Sequence, residues 1–203
     1  MTDQKPLPIL LWCDLETSGL DRDRDAILEV ALAITDDNLD VVDTWTMPAR
    51  ASRRVLRRVH SNDVVQHMHA TSGLLGQVGN TAARLADVER QAMRWLAGHG
   101  LSFHPNDADL IDWKRTDVDL TIAGSTVHFD KAFIERDMPA LASILGYRVF
   151  DVSTLTAEAR QRGIPFDMPA DGGHRALPDI LRSIELVRRL RAAHPFEPLE
   201  VAA

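Results

Sequence analysis

The sequence predicts an α/β fold built on a mixed β-sheet, an antiparallel meander joined to parallel strands, with helices flanking it. Two observations lead there. Residues 7–47 hold three strand-like segments divided by short polar turns. The rest of the chain alternates strand-like with helix-like segments, the order that produces parallel pairing.

Taken in order, residues 7–15 are apolar on both faces and read as a central strand. After the polar turn GLDRDRD, residues 27–35 (ILEVALAIT) form a second strand. After DDNLD, residues 41–47 form a third. Residues 50–60 (RASRRVLRRVH) open a basic, helical-looking stretch, either a solvated helix face or a phosphate contact. Over residues 80–97, Ala82, Leu85, Val88, Ala92, Trp95 and Leu96 recur at helical spacing. Asn80 or Thr81 can cap that helix and Gly98 can end it. Residues 101–119 fit neither period and are expected to be an acidic insertion or a long loop. Residues 120–127 (LTIAGSTV) read as a strand, 131–145 as a helix ended by Gly146, and 149–152 as a short strand. Ser153 or Thr154 starts the next helix. Residues 163–173 contain Pro165, Pro169 and three glycines and form a loop. Residues 177–193 close the chain as a helix, where Pro178 is tolerated in the first turn.

The 203 residues, 45% hydrophobic and 26% charged, suit one globular domain over 1–203. No apolar run reaches the ~20 residues of a membrane span. Residues 1–10 lack the basic and apolar regions of a secretory leader, so none is expected. One cysteine, Cys13, leaves no internal disulfide and agrees with a reducing cytoplasm. A net charge of −7 argues against non-specific binding along a long nucleic acid. It does not exclude a short polyanion held by metal and a few placed groups. No G-x4-G-K-[ST] phosphate loop occurs, which removes a P-loop kinase or NTPase.

Four features remain. Asp14 and Glu16 end the first strand two residues apart, so they point to the same side. Asp130 follows the strand of TIAGSTVHF and opens a helix, as a cap or as a ligand. His174 and Asp179 lie five apart in HRALPDI. Asp179 also suits a helix first turn by the dipole alone. Charged groups at the end of an apolar strand need positive partners. Divalent cations meet that need, and paired cations can both activate water and stabilise a leaving oxygen.

Together these features resemble the DEDDh group of 3′→5′ exonucleases, and within it the oligoribonuclease family. The resemblance runs from about residue 9 to residue 191. It includes WCDLETSGLD, ILEVALAITDDNLDVV, HATSGL, AGSTVHFDKAF, YRVFDVSTL and HRALPDI, of which YRVFDVSTL is the most specific. It implies a ribonuclease H-like fold that hydrolyses short single-stranded RNA, dinucleotides especially, to nucleoside monophosphates. It implies that Asp14, Glu16, Asp130 and Asp179 bind two divalent ions, Mg²⁺ or Mn²⁺, with His174 as general base. The Gly-rich ADGGHR suggests that His174 is mobile before substrate arrives. By the same resemblance Leu20 wedges between two bases, while His69, Thr126, Arg148 and Ser153 cap a 5′ phosphate. Tyr147 would come from the partner of a homodimer. By residue type alone Arg148 also fits a surface strand edge, Ser153 an N-cap and Leu20 ordinary core.

The chain departs from the family at several points. Thr126 stands where serine is usual, and Val64 where a tryptophan packs near the base. ETSGL replaces EMTGL, and Pro178 replaces a common acid beside Asp179. These changes spare the five motif residues and bear on length preference more than on catalysis. A broader exonuclease trimming the 3′ ends of RNA or single-stranded DNA is the alternative. A non-catalytic binding module on the same fold is a third reading.

Overall fold

The computed structural model describes residues 9–99, 103–105, 113–115 and 120–193. The chain begins with β1 (Ile9–Thr17), β2 (Ile27–Thr35) and β3 (Val41–Pro48). Four helices follow: α1 (Arg53–His60), α2 (Asp63–Thr71), α3 (Leu74–Asn80) and α4 (Leu85–Gly98). Next come β4 (Phe103–Pro105), β5 (Trp113–Arg115) and β6 (Leu120–Gly124). The last third holds α5 (His128–Asp137), α6 (Pro139–Ile144), β7 (Leu145–Asp151), α7 (Val152–Gln161) and α8 (Ala176–Ala193).

Five strands form one sheet in the order β3–β2–β1–β6–β7. The β1–β2 and β2–β3 pairs are antiparallel, while β1–β6 and β6–β7 are parallel. This is the expected meander joined to parallel strands. Every residue of β2 is buried, as befits a strand covered on both faces. Side-chain alternation divides the core in two. Leu11, Cys13, Val30, Leu32 and Ile122 face α4, α5 and α6. Trp12, Ala31, Ala33 and Ala123 face α8, packing with Ile180, Ile184 and Val187. A third cluster of Leu28, Val59, Val65, Leu74 and Val78 seats α1, α2 and α3 at the start of β2.

Several boundaries differ from expectation. The helix expected over 80–97 starts at Leu85; Asn80 instead ends α3, and Thr81 Oγ1 accepts from Ala83 N at 3.2 Å in the turn between. The Arg84 N–H is capped by Asp87 Oδ2 at 3.0 Å. The helix expected over 131–145 is two. Pro139 lacks an N–H and disfavours helical backbone before it, and Met138 leaves the helix at φ −130°. Gly146 then lies inside β7 rather than ending a helix. The strand over 120–127 stops at Gly124, and residues 125–127 turn into α5. Within 101–119, β4 and β5 pair antiparallel as a separate two-stranded sheet, so part of the expected loop is a hairpin. The other residues of that stretch, and residues 7 and 8 of the first expected strand, lie outside the described residues.

The loop after β1 is tied down by Asp25, which is 4% exposed. It accepts from Ser18 Oγ and Asp21 N at 2.9 Å each and from Arg58 Nε at 2.5 Å. Arg58 of the basic stretch is thus committed to the fold, while Arg53, Arg54 and Arg57 are exposed. Among the described residues no helix is long and apolar enough to cross a membrane.

Candidate active site

The site grows out of strand alternation. Trp12 faces α8, so Asp14 and Glu16, two and four residues on, project toward it as well. Asp179 stands in the first turn of α8. One oxygen from each of Asp14, Glu16 and Asp179 falls within 4.8 Å of the others. Asp130, 5% exposed in the first turn of α5, reaches the same strand end, where its Oδ1 accepts from Leu15 N at 2.9 Å.

This crowding changes the acids. Burial, then the charges of Asp130, Glu16, Asp179 and Glu29, push the Asp14 carboxyl well above the usual range. Burial, followed by Asp179 and Glu29, raises Glu16 to about 8. Burial raises Asp130 to about 7. Asp179 is raised as well, first by burial and then by Asp171. Carboxyls packed this way hold protons unless cations neutralise them. An all-oxygen donor set of this kind fits hard divalent ions such as Mg²⁺ or Mn²⁺.

His174 is exposed beside this cluster and pulls the Asp179 carboxyl downward when charged. Its backbone is left-handed at φ 55°, directly after Gly173 at φ 75°. Gly172 passes so near Asp179 that a Cβ there would lie 2.1 Å from Oδ1. Only glycine lets the loop come that close to the carboxylate.

The residues expected around the nucleotide are more scattered. Thr126 Oγ1 and Ser153 Oγ lie 3.0 Å apart. Asp151 holds both segments, its Oδ1 accepting from Thr126 N at 3.0 Å and Ser153 N at 2.8 Å. Asp151, not Ser153, is therefore the N-cap of α7. Arg148 stands three residues earlier on β7, about 10 Å along the strand, with its guanidinium 4.4 Å over the Tyr147 ring. Tyr147 and Leu20 are exposed, so Leu20 is not core. His69, expected with the hydroxyls, lies against Glu16. Its ring is fully buried, and Nε2 donates to the Thr17 carbonyl at 2.8 Å. Its Nδ1 sits 3.7 Å from Glu16 Oε2 with no hydrogen-bond partner.

Three residues joined to this site were not singled out in the sequence: Asp151, Glu29 and Arg175. For Asp151 the signal was an acid directly before a helix start. For Glu29 it was a lone charge inside the apolar ILEVALAIT.

Comparisons with solved structures return the same architecture. Exonuclease I of Methylocaldum szegediense superposes with a TM-score of 0.62 at 17% identity, covering 94% of this chain and 42% of that one. Escherichia coli exonuclease I, solved with a 5cy-dT13 oligonucleotide, gives 0.59 at 14% identity over 94% and 42%. The chain spans about two fifths of the length of these neighbours. The same E. coli enzyme has also been solved in a zinc-bound form with single-stranded DNA. No family model matches the chain. The structural likenesses show the fold, a ribonuclease H-like sheet flanked by helices; the class, a 3′→5′ exonuclease and so a hydrolase, rests on sequence relatives as well. Sequence relatives narrow the class. The probable oligoribonuclease of Dictyostelium discoideum is 35% identical over 187 residues, 90% of this chain and 88% of that protein. The oligoribonuclease of Leifsonia xyli is 36% identical over 195 residues, 93% and 86%. The chain belongs to the oligoribonuclease family.

Proposed function

We propose that this exoribonuclease acts on short oligoribonucleotides, dinucleotides above all, and releases nucleoside monophosphates. The observation that carries the reading is the meeting of Asp14, Glu16 and Asp179 within 4.8 Å, with Asp130 at the same strand end. Two divalent ions, Mg²⁺ or Mn²⁺, held by these four acids would activate water and stabilise the leaving oxygen. The chain's own groups do the rest. His174 takes the proton of the attacking water on an imidazole nitrogen. The Thr126 and Ser153 hydroxyls and the Arg148 guanidinium hold the 5′ phosphate, the last as a charged fork. The exposed Leu20 lies against the bases. A 5′ side closed in this way turns away longer chains.

The active unit is a homodimer in this reading. Among the described residues β7 is an edge strand of the sheet, on which Tyr147 is 79% and Val149 40% exposed. Such an edge suits a partner, and Tyr147 would reach the neighbouring site. The enzyme works in the cytoplasm, where its one cysteine, buried at Cys13, stays reduced.

A broader exonuclease that trims RNA or single-stranded DNA is the second reading. The exposure of Thr126 and Arg148 in the single chain favours it, since none of the described residues covers them. Turnover of two-, five- and twenty-nucleotide substrates, each with Mg²⁺, Mn²⁺ and a chelator, separates the two. Dinucleotidase action requires the fastest turnover on the shortest RNA and none with chelator. Fast turnover of the twenty-mer selects the second reading.

A further inference from the structure

One charged pair stands behind the acids, with Glu29 buried and the Arg175 side chain 25% exposed. Glu29 is 1% exposed within the apolar strand β2, directly across from Glu16 on β1. Its carboxylate is fully engaged. Arg175 Nε donates to both oxygens, at 3.2 and 3.0 Å, Arg175 Nη2 donates to Oε1, and Ala176 N donates to Oε2 at 3.1 Å. Arg175 Nη1 also donates to Ser72 O at 3.4 Å, and Nη2 to Gln77 Oε1 at 2.9 Å. Arg175 is thereby fastened to β2 and to the corner between α2 and α3.

The next residue back along the chain is His174. It is exposed and follows two glycines, so it has little packing of its own to fix it. Consecutive Cα atoms stand about 3.8 Å apart, so immobilising residue 175 confines residue 174 to one peptide unit. A planar guanidinium fork fixes orientation as well as place, which a point charge does not. A charge pair with one member, Glu29, buried in an apolar strand is a poor source of stability, and a specific geometry is the better reason for it.

We propose that the Glu29–Arg175 pair is the latch that holds His174 over the acid cluster, which makes both of them positioning residues for hydrolysis. The inference rests on the reading of His174 as general base.

The test uses two variants. Arg175→Lys keeps the charge and loses the fork. Glu29→Gln with Arg175→Gln removes both charges without stranding either. Each should lower kcat on a 5′-phosphorylated dinucleotide about 10- to 100-fold, the range found for groups that orient functional side chains. KM should stay unchanged, and so should calorimetric Mn²⁺ uptake in Arg175→Lys, which keeps both charges beside Glu16. In a His174→Ala background the same changes should cost almost nothing, because the positioned group is already gone. The His174 ring signal in NMR, assigned by its loss in His174→Ala, should shift or broaden in both variants. The latch is overturned if the full cost persists in the His174→Ala background, or if turnover and the ring signal stay as in the unmodified protein. Should the unmodified protein fail to cleave dinucleotides, the proposed function falls while the NMR comparison still decides the latch.

Discussion

The acid cluster and the nucleotide-facing residues are built on opposite principles. The acids come from the ends of packed elements, with Glu16 and Asp130 buried and every position set by strand register or a helix first turn. The nucleotide-facing set is spread along surfaces: Leu20 on a loop, Arg148 and Tyr147 on a sheet edge, Thr126 at a turn. The first region is complete within one chain. The second presents its groups outward, which in the proposed reading lets them receive a substrate and a partner. On the proposed function, chemistry is written into the core and choice of substrate into the periphery.

That contrast can be broken by mutation, and the acids should give the largest effect. Asp14→Ala removes a shared ligand, and hydrolysis of dinucleotides should fall to background; measurable metal-dependent turnover would show that the cluster is not the centre. His174→Ala should lower kcat about 10²- to 10⁴-fold, the usual weight of a general base, while dinucleotide binding by calorimetry persists. Arg148→Ala should act on binding instead. Loss of a charged hydrogen bond of about 1.5–3 kcal/mol should raise KM roughly 10- to 100-fold for 5′-phosphorylated dinucleotides and leave the twenty-mer untouched. Equal weakening of both substrates would mean that the periphery does not set length.

The smallest effect is on stability and sharpens the core side of the contrast. Glu16 stands at about 8 against an ordinary 4.5, and Asp130 at about 7 against 3.8. In the unfolded chain both ionise near those ordinary values. In the folded, metal-free chain they keep their protons up to pH 7–8, so the folded state binds more protons between. Stability then falls as pH rises from about 4 to 8. Calorimetric Tm of metal-free protein should drop across that window, and Mn²⁺ should remove the drop. A Tm that rises with pH would mean that the acids do not crowd one another.

Much of this was legible in the sequence because it obeys local rules. Asp14 and Glu16 announce themselves by ending an apolar strand, and the helix containing Asp179 is strongly periodic. Errors came where one residue overrode a period, as Pro139 does in splitting α5 from α6. Other features depend on pairings far apart in the chain. Nothing near Glu29 signals Arg175, and nothing in HATSGL tells that His69 turns its ring inward against the Thr17 carbonyl. Such contacts follow from tertiary assembly, which no local pattern encodes.

The order in which the acids enter the chain has a consequence for synthesis. Asp14 emerges from the ribosome in the first strand, whereas Asp179 arrives with the final helix, which must dock across β1 and β2 before the set is whole. In the proposed reading a product terminated before Asp179 stays inert, and a nuclease built in this way is born switched off.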